Sequence, residues 1–238
     1  MISLHEPGFY SSCAELRLNP FFLLTYDSKI WLRGPNLPRP LIGHCIAPAD
    51  TKQVVVASGY SPDLDDYTDL VDIYNMDTGE WYTKPWTKMQ FGPRIDASCY
   101  ALRFDRTVKV IVAGGWSNLG VMASEMLDVE TLRWDTIGDN STGSMVHALP
   151  YAVRSSTFIE LDNKGILVAG VKCTGTEHSR QDCNRSSKIL KLTIPDKNEP
   201  TAATWDEYDD LLQPRSSHGV LVIPSVYVSN SPKCKKIP

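Results

Sequence analysis

Short apolar runs that end in glycine recur along the chain. The runs are Val54–Gly59, Val110–Gly115 and Ile166–Gly170, and their final glycines are spaced by 56 and 55 residues. A polar loop, a segment of alternating character, a turn and a tryptophan follow each run. The alternating segments are Leu70–Tyr74, Glu125–Val129 and Lys188–Leu192, and the tryptophans are Trp81, Trp134 and Trp205, with Trp31 as an earlier member. This alternation, without any sustained helical period, predicts β-strands rather than helices.

An arginine ahead of each unit forms a third marker with nearly the same period. The arginines are Arg39, Arg94, Arg154 and Arg215, and the apolar segments that follow them are Ile42–Ala47, Ala97–Phe104, Ser156–Leu161 and Gly219–Ile223. Each complete unit therefore contains four predicted strands, of which the last two form a hairpin around a turn such as Asp77–Gly79. Four-stranded sheets that recur about every 50 residues are typical of an all-β propeller, whose blades are such sheets.

Two phrases in the central units resemble the kelch repeat. They are Tyr74–Trp81 (YNMDTGEW) and Leu127–Trp134 (LDVETLRW), together with the double glycine Gly114-Gly115. The resemblance covers residues 4–223, although the double glycine has become Ser58-Gly59 and Ala169-Gly170 elsewhere. It implies a kelch-type β-propeller of four-stranded antiparallel blades over residues 1–224, followed by a polar basic tail over 225–238. It also implies a non-catalytic module in which loops on a rigid scaffold bind a partner protein or peptide.

The markers account for about four blades, of which the first lacks its opening strand. Two interpretations stay open. In the first, a leftover strand within residues 217–223 completes the first blade and closes a ring of four, which leaves no unpaired edge strand. In the second, the chain is part of a longer propeller, because the resemblance implies a larger ring. The family expectation favours the second interpretation.

The loops after the second strand of each unit contain the candidate partner contacts. They are Tyr60, Asp63, Asp65, Trp116, Asn118, His178 and Arg180. Trp116 interrupts the tryptophan period, which makes it a candidate anchor because interface hot spots favour tryptophan, tyrosine and arginine. The alternative is that Trp116 packs on its own blade. We expect the periodic tryptophans, by contrast, to lie in the core between blades.

Two classes of propeller enzyme provide the alternative function. Galactose-oxidase-like enzymes hold copper with tyrosine and histidine, and glycan-processing hydrolases such as sialidases use clustered arginines for a substrate carboxylate. The five histidines form no pair at metal-ligand spacing. The arginines recur at one place in each unit, which blade packing explains better than a single asymmetric site. We therefore expect no catalytic residues, no metal and no cofactor.

Composition narrows the class of partner. The 238 residues include 24 basic and 28 acidic side chains, and the net charge is −4. A general nucleic-acid binder shows a basic face or stripe, so this mild acidity argues against nucleic acid as the partner. No apolar run approaches the ~20 residues that span a bilayer, so we expect no membrane insertion.

The cysteines and two sequons bear on the compartment. Cys173 and Cys183 flank a polar stretch and are a candidate disulfide, whereas Cys45 and Cys99 lie in apolar runs and are expected to be buried thiols. The sequons begin at Asn140 and Asn184, which are candidate glycosylation sites in an exported chain. These features favour an extracellular location. The N-terminal residues show no signal-peptide pattern, which favours the cytoplasm unless the true start lies upstream.

Overall fold

The computed structural model describes residues 20–24, 30–50, 52–84, 87–104, 107–117, 119–120, 123–137, 149–161, 164–174, 182–194 and 203–220. Within these ranges every regular element is a β-strand, and all neighbouring strands are antiparallel. The prediction of an all-β chain is therefore confirmed. Among the same residues, no helix has the length and apolar character needed to cross a membrane.

A two-stranded hairpin opens the described chain. It consists of β1 (Phe22–Leu24) and β2 (Trp31–Arg33), in which Leu24 lies opposite Trp31. In the same way, Tyr74 lies opposite Trp81, and Leu127 lies opposite Trp134. In all three pairs the tryptophan comes seven positions later in the chain. The hairpin therefore corresponds to the last two strands of a unit, as the tryptophan period predicts.

The first complete unit is sheet I. Its segment of the chain contains β3 (Cys45–Pro48), β4 (Gln53–Ala57), β5 (Tyr60–Ser61), β6 (Asp66–Tyr67), β7 (Val71–Asn75) and β8 (Glu80–Thr83). Strands β3, β4, β7 and β8 form the sheet in that order, and β5 and β6 form a separate small hairpin. The Asn75 side chain accepts hydrogen bonds from the backbone N–H groups of Asp77 and Thr78, at 2.8 and 3.1 Å, which fixes the turn before β8.

Sheet II repeats this arrangement. Its strands and small hairpin are β9 (Ser98–Phe104), β10 (Thr107–Ala113), β11 (Trp116–Ser117), β12 (Leu119–Gly120), β13 (Ser124–Asp128) and β14 (Arg133–Thr136). Strands β9, β10, β13 and β14 form the sheet in that order. Asp128 caps its last turn as Asn75 does in sheet I, by accepting from the N–H groups of Glu130 and Thr131.

Sheet III differs in having three long strands. Its strands are β15 (Ala152–Arg154), β16 (Thr157–Leu161), β17 (Lys164–Thr174), β18 (Asp182–Thr193) and β19 (Thr204–Arg215), of which the last three are long. Both β15 and β16 pair with β17, which then pairs with β18, and β18 pairs with β19. A register shift between Val168 and Gly170 separates the two halves of β17. The hairpin that stands apart in sheets I and II therefore continues the sheet here.

The predicted four strands are confirmed for sheets I and II, whereas sheet III has five, because β15 and β16 both pair with β17. The last predicted strand, within Gly219–Ile223, lies mostly outside the described residues. Gly219 and Val220 are described without a strand, and residues 221–238 lie outside the described residues. The first 19 residues also lie outside them.

Backbone hydrogen bonds join equivalent residues of successive units. The N–H of Asp96 donates to Gly43, that of Ser155 to Asp96, and that of Ser217 to Ser155, at 2.8, 3.0 and 2.8 Å. All four residues have φ between 51° and 62°. Gly43, Asp96 and Ser155 precede β3, β9 and β16, so Ser217 occupies the same place at the start of a fourth unit.

Apolar side chains fill the space between neighbouring sheets. One cluster combines Val55 and Ile73 of sheet I with Leu127 and Trp134 of sheet II. A second combines residues of sheet II with residues of sheet III, and Trp205 belongs to it. The tryptophan of each unit therefore faces the preceding unit, and the core position predicted for Trp134 and Trp205 is confirmed.

The core position predicted for Trp31 is wrong. Its side chain is 46% exposed. Trp81 is half-buried and packs edge-on against Phe21, with ring centres 5.0 Å apart.

The repeated arginines of sheets I and II pack within their own sheets, as the sequence predicts. Arg39 pairs with Asp72 at 2.9 Å, and Arg94 pairs with Glu125 with both side chains fully buried. Glu125 also accepts a hydrogen bond from the backbone N–H of Gln90 at 2.6 Å. Burial raises the pKa of Asp72, and its hydrogen bond with Thr83 and the charge of Arg39 oppose this rise.

The prediction that Cys45 and Cys99 are buried thiols is wrong in one respect. Both side chains are buried, but they form a disulfide between β3 and β9, with Cα atoms 5.7 Å apart. The sequence pattern missed this pair because the partners lie on neighbouring sheets. The candidate disulfide between Cys173 and Cys183, which face each other across β17 and β18, is confirmed.

Replacing Glu125 with glutamine should lower the free energy of unfolding by about 3–5 kcal/mol, because it leaves the buried Arg94 charge without a carboxylate. The matched control is Asp77→Asn, which breaks the Lys52–Asp77 pair, whose side chains are 63% and 58% exposed. The control should change stability by less than about 1 kcal/mol. Urea unfolding of both variants measures the difference, and equal losses would contradict the structural role of the buried pair.

Replacing both Cys45 and Cys99 with alanine should cost more stability than replacing both Cys173 and Cys183. The first pair closes a separation of 54 residues and the second one of 10. Loop-closure entropy gives about 4 kcal/mol for the first and about 3 kcal/mol for the second. Urea unfolding of the two double variants under oxidising conditions tests the order, and the reverse order would refute it.

Candidate functional site

Three hairpins lie at the same end of the three units, after the second strand: two stand apart from their sheets, and the third continues sheet III. They are β5–β6 (hairpin 1), β11–β12 (hairpin 2) and the outer parts of β17 and β18, residues 171–174 with 182–185 (hairpin 3). Hairpins 1 and 2 start alike, since Tyr60 exchanges backbone hydrogen bonds with Ile42 and Trp116 does so with Ile95. The backbone N–H groups of Gly59 and Gly115, which precede these two hairpins, donate to Arg94 and Val153 of the following unit.

The chain enters each hairpin through two residues with positive φ. The first members are Ser58, Gly114 and Ala169, with φ of 53–66°, and the second members are Gly59, Gly115 and Gly170, with φ of 105–111°. Residues with side chains tolerate the first conformation, but the second is essentially restricted to glycine. This explains why the first glycine of the pair is replaced in two units while the second is present in all three.

Hairpin 1 contains Tyr60, Asp63 and Asp65 of the predicted contacts. The Tyr60 hydroxyl donates a hydrogen bond to Asp65, and this bond raises the pKa of Tyr60, with burial adding to the rise. Tyr67 packs edge-on against Tyr60, with ring centres 6.0 Å apart. Asp63, Asp65 and Asp66 are exposed, and Leu64 between them is 60% exposed. Hairpin 1 thus presents negative charge and one apolar side chain.

Hairpin 2 contains Trp116, which contacts the next unit rather than packing only on its own sheet. The guanidinium carbon of Arg154 lies 4.8 Å from the centre of the Trp116 ring. Asp96 also lies near this arginine, with Oδ2 3.9 Å from Nη1 of Arg154. Asn118 lies outside the described residues.

Hairpin 3 is cross-linked by the Cys173–Cys183 disulfide and is basic at its base. Lys172 lies over the Tyr151 ring at 4.1 Å, and Arg185 is exposed. Lys172 and Arg185 line a cavity of about 250 Å³, together with Asn184 and Lys188. His178 and Arg180 of the predicted contacts lie outside the described residues.

Next to hairpin 3, Tyr151 is buried and Lys188 forms ion pairs. Burial raises the pKa of Tyr151 to about 12, and its hydrogen bond with Ser186 opposes the rise. Lys188 pairs with Asp210 at 3.1 Å and with Glu207 at 3.2 Å. The sequence pattern missed Tyr151 and Lys172, which carry no motif. Lys172 belongs to hairpin 3, and Tyr151 stands beside it because β15 pairs with β17.

The remaining predictions concern metal ligands and the two sequons. Within the described ranges, no group of three or more histidine, cysteine, aspartate or glutamate side chains is placed to hold a metal ion. Asn184 is exposed on β18, and Asn140 lies outside the described residues.

Comparison with known proteins shows a likeness in fold. No protein-family model matches the chain, and no curated protein matches it. The solved structure of YjhT is similar, with a TM-score of 0.58 and 14% sequence identity. The similarity covers 84% of this chain and 64% of the YjhT chain, so this chain spans less than two thirds of that structure.

Gly115→Ala should lower the free energy of unfolding by about 1–3 kcal/mol, because residue 115 has φ of 109° and its Cβ would lie 3.0 Å from the Ile95 carbonyl oxygen. Ser58→Gly, at the first position of the pair, is the control and should stay within about 1 kcal/mol of the parent. Thermal and urea unfolding measure both. A Gly115→Ala protein as stable as the control would show that the turn tolerates a side chain.

Proposed function

We propose that this chain is part or all of a kelch-type β-propeller, and that it is a non-catalytic module whose hairpins bind a partner protein or peptide. The observation that carries the proposal is the alignment of three hairpins at one end of three repeated sheets. A rigid sheet scaffold that holds variable loops together is a common arrangement for binding. Because fold alone does not determine function, the proposal depends on the chemistry of these hairpins.

The contacts between units support the propeller architecture. The series of bonds from Gly43 to Ser217 joins sheets I, II and III, and Trp134 and Trp205 face the preceding sheet. A ring follows naturally if this step repeats until the ends meet. The exposed face of Trp31 and the coverage of only 64% of YjhT favour a propeller larger than the described units.

The charges of the hairpins support a protein partner. Hairpin 1 carries three exposed carboxylates, whereas the base of hairpin 3 carries Lys172 and Arg185. Complementary charge selects and orients a partner more than it adds affinity. We infer a partner segment with a basic part opposite hairpin 1 and an acidic part towards hairpin 3. The enzyme alternatives stay hypotheses.

The two disulfides support an oxidising compartment, since such bonds persist mainly in secreted and periplasmic proteins and in the lumen of the secretory pathway. We therefore favour an extracellular setting, in which Asn184 is exposed for glycosylation.

The experiment that tests this function is selection from a displayed peptide library with the immobilised chain, followed by titration of the selected peptides. A variant with Asp63→Asn, Asp66→Asn and Trp116→Ala should bind at least about tenfold more weakly, since loss of an interface anchor costs about 2 kcal/mol. The control is Asp77→Asn, at the opposite end of sheet I, which should bind as the parent does.

Two results would contradict the proposed function. One is the absence of any selected peptide, and the other is unchanged affinity in the hairpin variant. Circular dichroism of each protein confirms that the comparison is made between folded chains.

A further inference from the structure

Arg154 stands in a different environment from the arginines of the two preceding units. Arg39 and Arg94 each pair with a carboxylate on the third strand of their own sheet. Asp72 lies opposite Val56, and Glu125 lies opposite Val112. Each valine stands three positions before the second residue of its positive-φ pair, which is Gly59 or Gly115. In sheet III the residue at the corresponding place is Leu190, opposite Leu167, and its side chain is only 1% exposed.

Arg154 also lies one position later in its unit than Arg94 does, opposite Val171, and it lies against hairpin 2. Its guanidinium carbon is 4.8 Å from the centre of the Trp116 ring, and the nearest carboxylate, that of Asp96, is 3.9 Å from Nη1. That separation is beyond hydrogen-bond distance. The Nε atom is buried and has no hydrogen-bond partner within the described part of the chain. The side chain is 32% exposed, so its remaining donors are accessible from solvent.

The preceding unit gives a direct comparison. Tyr60 starts hairpin 1 as Trp116 starts hairpin 2, and the backbone of Arg94 accepts a hydrogen bond from Gly59 beside it. The Arg94 side chain is fully buried with Glu125. Gly115 donates in the same way to Val153, so Val153 takes the place of Arg94 in sheet III. Arg154 pairs with Val171 as Ile95 pairs with Trp116, and sheet III therefore has an arginine where the preceding units have isoleucine.

We propose that Arg154, supported by the Trp116 ring, receives a side-chain carboxylate of the partner. The guanidinium presents planar, paired donors that fit a carboxylate, and stacking on an aromatic ring keeps it oriented. This inference rests on the proposed function and names the partner chemistry at one point, an aspartate or glutamate between hairpins 2 and 3. Lys172 and Arg185 add positive charge on the hairpin 3 side.

Asp96 provides a second way to test the site. Its carboxylate competes with a ligand for Arg154 and accepts a hydrogen bond from the Ser155 hydroxyl at 3.2 Å. Asp96→Asn removes the charge and keeps the backbone, because asparagine tolerates the φ of 58° at this position. The change should therefore strengthen carboxylate binding.

The experiment is a solution NMR titration of the intact chain. The probes are acetyl-Gly-Glu-Gly-amide, its glutamine counterpart, and acetyl-Gly-Gly-Gly with a free carboxyl terminus. The glutamate peptide should shift the Nε–H signal of Arg154 and the indole N–H signal of Trp116, and the glutamine peptide should not. Tighter binding of the free-terminus peptide would support carboxylate recognition and assign it to a chain end.

Variants then define the contact. Arg154→Gln should weaken binding of the glutamate peptide by roughly tenfold, the loss expected for one charge-assisted hydrogen bond. Asp96→Asn should tighten it severalfold. The control is Arg103→Gln, an exposed arginine on β9, which should leave the affinity unchanged.

The inference is overturned if the glutamate and glutamine peptides shift the wild-type signals equally, a result that needs no variant to fold. It is also overturned if folded Arg154→Gln binds as the parent does. Loss of partner binding in the hairpin variant with unchanged Arg154→Gln binding would refute this site and leave the proposed function standing. Glutamate-dependent shifts without any selected partner would support this site and contradict the proposed function.

Discussion

Backbone hydrogen bonds between successive units set the arrangement on which the rest of the structure depends. Gly43, Asp96, Ser155 and Ser217 each adopt positive φ, and each later member bonds to the one before it. This places the first strands of neighbouring sheets next to each other. The apolar clusters between sheets, the Cys45–Cys99 disulfide and the alignment of the hairpins all follow from that placement.

The fold was largely predictable from sequence because its signals are local and periodic. Apolar runs, glycines, tryptophans and turns repeat with nearly constant spacing, and a strand needs only such a short pattern to be identified. The positions that form the backbone hydrogen bonds between units carry no such signal. Its four positions hold glycine, aspartate and two serines, which share a backbone conformation but no side-chain pattern. Trp31 was misplaced for a related reason, since its repeat position does not reveal whether a preceding sheet covers it.

The candidate site was predictable only in part. Reasoning from the loops after the second strand located Tyr60, Asp63, Asp65 and Trp116, which lie in hairpins 1 and 2. It missed Arg154, because a repeated arginine was explained by packing in every unit. Only the strand register reveals that Leu190 stands where sheets I and II have a carboxylate, and that Arg154 stands where they have isoleucine. The departure of one unit from the repeat, and not the repeat itself, is what distinguishes the candidate site.

The disulfide between β3 and β9 has a mechanical consequence. It joins the first strands of two neighbouring sheets, so a pulling force applied to the ends of the chain passes through the sulfur atoms and bypasses the 54 residues between them. About 190 Å of chain is thereby withheld from extension. Sheet I lies inside this covalently closed loop, whereas β10 to β14 of sheet II lie outside it, and the disulfide of sheet III encloses only its own hairpin.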